Sequence, residues 1–172
     1  MAWILLLALA ALAAAVAMAA RRGLVALQDT KQDAWGALEA QLVKRHELMA
    51  QIVGLCAKPM RDEREVLDRV SITGSAVLAA AKRTNIPALA AADKSYRTAV
   101  AAVFARAGSY PPLAASAGFA KLRERTATLD ARVDERREQY NSAVSVLNLR
   151  CYAFPYSLVA RTIGVRPAAF LP

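Results

Sequence analysis

Hydrophobic residues run unbroken at the start of the chain and become periodic further on. Residues 2–20 contain no charged side chain, no glycine and no proline. As a helix, that segment rises about 28 Å, close to the ~30 Å hydrocarbon core of a bilayer. Beyond it, Trp35, Leu38, Leu42, Met49, Ile52 and Cys56 recur at alternating steps of three and four once Arg45 is counted in the row. This is a packing stripe of heptad type. No proline interrupts residues 24–56, so the pattern predicts one rod running on from the apolar segment, with an end or a kink at Pro59.

Three more helices are expected on the same grounds. Val66, Leu67, Val70, Gly74, Val77, Leu78 and Ala81 line one side of a helix over residues 61–83. Thr84-Asn85-Ile86-Pro87 reads as a turn, with Pro87 in the first turn of a third helix that carries Leu89, Tyr96, Val100, Val103 and Phe104 and closes at Gly108. Ser109 to Pro112 reads as a loop, and Ser116 as the N-cap of a long helix to about Arg150 with the stripe Phe119, Leu122, Leu129, Val133, Tyr140, Val144 and Leu147. The expected fold class is all-α: an N-terminal transmembrane helix, then an up-down antiparallel four-helix bundle with long first and fourth helices. The expected divisions are an anchor with its basic flank at 1–22, a bundle at 23–153 and a basic, aromatic tail at 154–172.

Charge gives the anchor a direction. Arg21 and Arg22 come directly after the apolar run, whereas only the α-amino group precedes it. By the positive-inside rule the N-terminus lies outside and the rest of the chain is cytoplasmic. A cleaved signal peptide is the rival reading, because Ala-x-Ala sequences abound near positions 13–20, yet such signals carry their basic residues before the apolar stretch. Ala11, Ala15 and Ala19 share one face, which permits close helix approach and self-association in the bilayer, although alanine is abundant throughout the segment.

Composition narrows the function classes. The net charge is +9, but acids and bases are interleaved, as in Arg61-Asp62-Glu63-Arg64-Glu65, which suits a solvated helix face. No long basic stripe with interleaved aromatics suggests nucleic acid, and membrane proximity accounts better for the excess. The tail, with Tyr156, Phe170, Arg161 and Arg166, is expected either to touch lipid headgroups or to pack on the bundle. Cys56 and Cys151 form no CxxC pair, and a disulfide between opposite ends of a bundle is not expected. With His46 alone there is no histidine-based metal or catalytic pair, and no HExxH, GxSxG or Walker-type loop is present. Asp130 and Asp134 share a helix face, as do Arg132 and Arg136, but the di-iron pattern needs histidines that the chain lacks. No catalytic, cofactor-binding or metal-binding residue is assigned, no cofactor is expected, and no small-molecule substrate is evident.

The order of features resembles the LemA family. The blocks that carry the resemblance are Ala34-Trp35, the run Gln41 to Leu48, the run Glu63 to Leu67, Tyr110-Pro111 with Leu113, Phe119 and Leu122, and the long block of Val133 to Arg137, Tyr140 to Val144, Asn148, Phe154-Pro155, Ala160 and Gly164. The chain departs from the family pattern at Arg21-Arg22, where a Tyr-Asn is usual, and at Met49 to Val53, where the family has a proline. It departs again at Asp130, where a glutamate is usual, and at Leu147-Asn148. The resemblance implies a helical bundle behind a transmembrane helix, and no established activity. It also singles out Arg45, Arg137 and Asn141 as polar clamps. Arg45 stands in the packing row, where an unpaired charge is costly, so an acidic or carbonyl partner is predicted for it. The expected role is a membrane-anchored scaffold or adaptor whose partners are the lipid bilayer and a protein or a second copy. The alternative is a lipid-binding or membrane-organising module that uses the basic surface.

Overall fold

The computed structural model describes residues 1–172, and every regular element in it is helical. Helix α1, Ala2–Cys56, is one uninterrupted helix of 55 residues. A 3-10 turn at Arg61–Glu63 leads into α2, Arg64–Lys82, and then α3, Ile86–Ala107. The single turn α4, Pro111–Ala114, precedes the long α5, Ala117–Tyr152, and the short α6, Tyr156–Ile163.

The heptad stripe on α1 is buried at each of its positions from Trp35 to Cys56, Arg45 included. The helix is continuous through residues 49–53, where alanine stands in place of a proline that would have removed a helix hydrogen bond. The caps fall where side-chain chemistry favours them. Asn85 accepts a hydrogen bond from the Ala88 N–H at 3.1 Å, with Pro87 in the first turn. Ser116 Oγ accepts from the Phe119 N–H at 3.4 Å. One expectation changes. The segment Ser109 to Pro112 is not wholly loop, since the two prolines supply the preset φ of a first helical turn at α4. The tail, to which the sequence pattern assigns no element, forms α6, which ends at Gly164 in the left-handed region at φ 74°, where a side chain would be strained.

The chain divides into two compact units. One consists of Met1–Trp35 with Glu138–Phe170. Its core gathers Leu24, Leu147, Cys151, Ala160 and Val165, flanked by Leu27, Tyr156, Val159 and Ile163, so α6 and the tail pack on α1 and α5. Trp35 meets Tyr140 edge-on, with ring centroids 5.1 Å apart. The Tyr140 hydroxyl donates to the Ala169 carbonyl at 3.2 Å. Asn148 clasps the tail twice, donating to Ala168 O at 2.9 Å and accepting from Ala168 N at 2.8 Å.

The second unit consists of Gly36–Arg137 with Leu171–Pro172. Its buried residues come from the lower part of α1, from α2 and α3, and from the first half of α5. At Gly74 an added Cβ would lie 2.6 Å from His46 Nδ1 and 3.3 Å from the Tyr96 ring. Glycine here lets α2 approach the side chains of α1 and α3 closely. His46 is half-buried and serves this packing.

Candidate functional site

Within the second unit, six charged side chains form an alternating line. Arg45 on α1 bonds Asp130 on α5 at 3.4 Å and also bonds Asp93 on α3. Asp93 bonds Arg97 one turn further along α3, at 2.9 Å. Arg97 bonds Asp134 on α5 at 2.6 Å, and Asp134 bonds Arg137 at 3.4 Å. The order is Asp130, Arg45, Asp93, Arg97, Asp134, Arg137, so the charges cancel along the line and three helices are joined. Arg45 and Asp93 are the sheltered members, with side chains 2% and 18% exposed, and the other four range from 32% to 39%. The Arg45 guanidinium also lies over the Tyr96 ring, 4.6 Å from its centroid, where the negative π-face favours a cation.

Burial and charge act against each other here. For Asp93, burial raises the carboxyl pKa, but Arg45 and Arg97 together outweigh it and hold the group below the usual carboxylate range. For Asp130, burial wins over Arg45 and Arg97, and the pKa rises. Burial pushes the Tyr96 phenol up to about 12. Its hydroxyl is buried without a hydrogen-bond partner in the protein. Arg97 is held firmly protonated by hydrogen bonds to Asp93 and Asp134, despite the opposing effect of burial. A small pocket of about 30 Å³ adjoins the line, walled by Leu38, Leu42, Leu89 and Val133, and it is large enough for one or two waters.

The predicted acidic partner of Arg45 is thus present twice over, and Asp130, which has no base on its own helix at the right spacing, finds one on α1. Arg137 pairs with Asp134 as its i,i+3 spacing suggests, while Asn141 lies half-buried on α5 in the other unit. Arg132 faces away from the line, into a groove of about 360 Å³ that it shares with Lys44, Glu47, Gln51 and Arg125. Asp93 and Arg97 are the members that sequence reasoning passed over. Their i,i+4 spacing beside the stripe residue Tyr96 was the available signal. Both cysteines are free and buried, and burial raises the pKa of each thiol, which leaves them weak nucleophiles at neutral pH.

The architecture is that of a helical protein with an apolar N-terminal helix and a charge-clamped helical unit. The model of the LemA family matches residues 34–172, and the chain belongs to the LemA family. No curated protein matches it. By length and composition, the N-terminal part of α1 is apolar enough to cross a membrane.

Proposed function

We propose that this protein is a single-pass, membrane-tethered helical scaffold, with its N-terminus outside and its LemA domain on the cytoplasmic side. It acts through contacts with a protein partner or a second copy, and not by catalysis. The observation that carries the reading is the course of α1. Residues 1–19 are exposed at every position and apolar throughout, and the same unbroken helix then becomes a packing element. An exposed run including Trp3, Ile4, Leu5, Leu6, Leu7, Leu9 and Leu12 suits lipid and not water. Arg21 and Arg22 favour a cytoplasmic placement for the chain beyond them.

Within Gly36–Arg137 we read the segments of α1, α2, α3 and α5 as an up-down antiparallel bundle, a topology that the short connections favour. The charge line supports a structural role over a catalytic one, since its carboxylates and guanidinia are engaged with one another. The groove lined by Lys44, Arg125 and Arg132 offers three cations against Glu47, a surface suited to an acidic segment of a partner.

Topology reporters fused to each terminus of the full chain test the reading, with alkaline extraction of the membranes. The expected result is an extraction-resistant chain with a cytoplasmic C-terminus. Release by alkali, or a C-terminus outside, overturns it. Cross-linking in native membranes tests the scaffold role, and recovery of lipid alone, with no protein neighbour or self-contact, removes it.

A further inference from the structure

Ala20 is the first buried position of α1, and the unit Met1–Trp35 with Glu138–Phe170 places a second apolar surface at that level. Moving along α1 from Trp35 to Leu24 moves the contacts along α5 from Tyr140 to Leu147 and Cys151. One further turn, about 6 Å, brings α1 to Ala20 and α5 to its end at Tyr152. The Tyr156 ring lies against Gly23, where an added Cβ would meet it at 3.4 Å. The connection from α5 to α6 therefore sits at the foot of the apolar run.

The side chains exposed there are apolar and aromatic. Phe154 is 81% exposed, Tyr152 74%, and Leu149 and Leu158 are exposed as well. Exposed Arg150 and Arg161 stand on either side of Tyr152, Phe154 and Leu158 in the chain, in the same unit as Arg21 and Arg22. No Asp or Glu occurs in residues 1–28 or in residues 139–172, although acids and bases are interleaved through the rest of the chain. α6 divides by face: Ala160, Val159 and Ile163 pack inward on Leu24, while Leu158 and Arg161 are exposed.

We propose that this end of the unit, with Tyr152, Phe154 and Leu158 at its apex, is a second membrane contact. It seats at headgroup depth in the leaflet that α1 enters, and its occupant is an anionic bilayer surface. The inference rests on the tether reading and deepens it. Aromatic rings favour the interface between headgroups and acyl chains, and the exposed arginines beside them suit anionic headgroups. Continuity with the apolar run, the acid-free composition and the outward aromatics favour this surface over a protein partner. A contact at this point would fix the azimuth of the whole unit about α1, which a single spanning helix leaves free.

Site-specific photo-cross-linking on the full chain in phosphatidylcholine–phosphatidylglycerol vesicles tests it, with benzoylphenylalanine at position 5, 32, 154 or 158. Lipid adducts are expected at 5, 154 and 158, and none at 32, an exposed position of the same unit about 18 Å further along α1 than Ala20. Adducts at 5 without adducts at 154 and 158 overturn the second contact and leave the tether standing. Absence of adducts at 5 overturns the tether itself. Capture of a second copy or of another protein at 154 makes the patch a protein interface and overturns the proposal. The full chain carrying Arg161→Gln and Arg166→Gln should lose about threefold of the lipid yield at 154 while the yield at 5 is unchanged. An unaltered yield at 154 contradicts the anionic character of the contact.

Discussion

The two units invert the usual distribution of polarity in opposite ways. Gly36–Arg137 draws charge inward, with Arg45 nearly inaccessible among α1, α3 and α5. Met1–Trp35 with Glu138–Phe170 turns apolar groups outward, from Trp3 to Met18 and again at Tyr152 and Phe154. The first arrangement uses electrostatic free energy to place three helices relative to one another. The second exposes apolar surface to water, which is unfavourable unless something apolar covers it. On the function proposed above, buried charge serves the unit that holds a fixed surface, and exposed hydrophobicity serves the unit that meets lipid.

The largest way to break this contrast is to remove its central cation. Arg45→Ala leaves Asp93 and Asp130 without their shared partner and should cost about 3–5 kcal/mol. Chemical denaturation of the full chain in detergent measures it. A loss below about 1 kcal/mol, the range of an ordinary exposed ion pair, would deny the line its role. Arg45→Met with both aspartates changed to Asn should recover much of the loss, because no buried charge then stands alone.

The two aspartates should differ in sign with pH. Asp93 has a lowered folded pKa, so its contribution is present above the unfolded value of about 3.9 and is lost as pH falls through the folded value. Asp130 has a raised folded pKa, so ionisation there opposes folding above the usual carboxylate range, and that cost is relieved as pH falls. Asp93→Asn should therefore cost about 2 kcal/mol at neutral pH and flatten the acid limb of the stability curve. Asp130→Asn should cost much less at neutral pH. Equal costs for the pair would contradict the assignment.

Smaller effects sharpen the comparison. Gly74→Ala should destabilise the second unit by about 1–3 kcal/mol through overpacking against His46. The loss should shrink in a His46→Ala background, as a double-mutant cycle would show. Within the first unit, Asn148→Ala removes both bonds to Ala168, at a cost of about 1–2 kcal/mol. Hydrogen exchange should then quicken in residues 165–169 and not in α3. Smallest of all, Tyr96→Phe deletes an unpartnered buried hydroxyl and should leave the melting temperature unchanged or slightly raised.

Most of the helical elements were legible because burial repeats faithfully along them. The three-four spacing on α1 placed Arg45 inside without any structure, and its cost there required an acid. The identity of the acids was harder to read. Asp93 and Arg97 have the spacing of an ordinary exposed helix pair, and only the arrival of Arg45 and Asp134 from other helices turns that pair into a buried link. α6 was hidden for a different reason. Eight residues between Pro155 and Gly164 are too few to show a period, and the helix is held by tertiary contacts with Leu24 and Leu147. The Asn148 clasp binds backbone atoms, whose identity leaves no trace in sequence.

The environment of the first part of α1 decides whether the protein is tethered at all. A nitroxide scan of the full chain in bilayers, placed in turn at positions 5, 9, 12, 16, 25 and 28, measures it through oxygen and nickel-chelate collision rates. Positions 5 to 16 should be open to oxygen and closed to the chelate, with the order reversing by 25 and 28. Chelate access at all six positions, or a mature chain that lacks residues 1–20, would contradict a membrane tether.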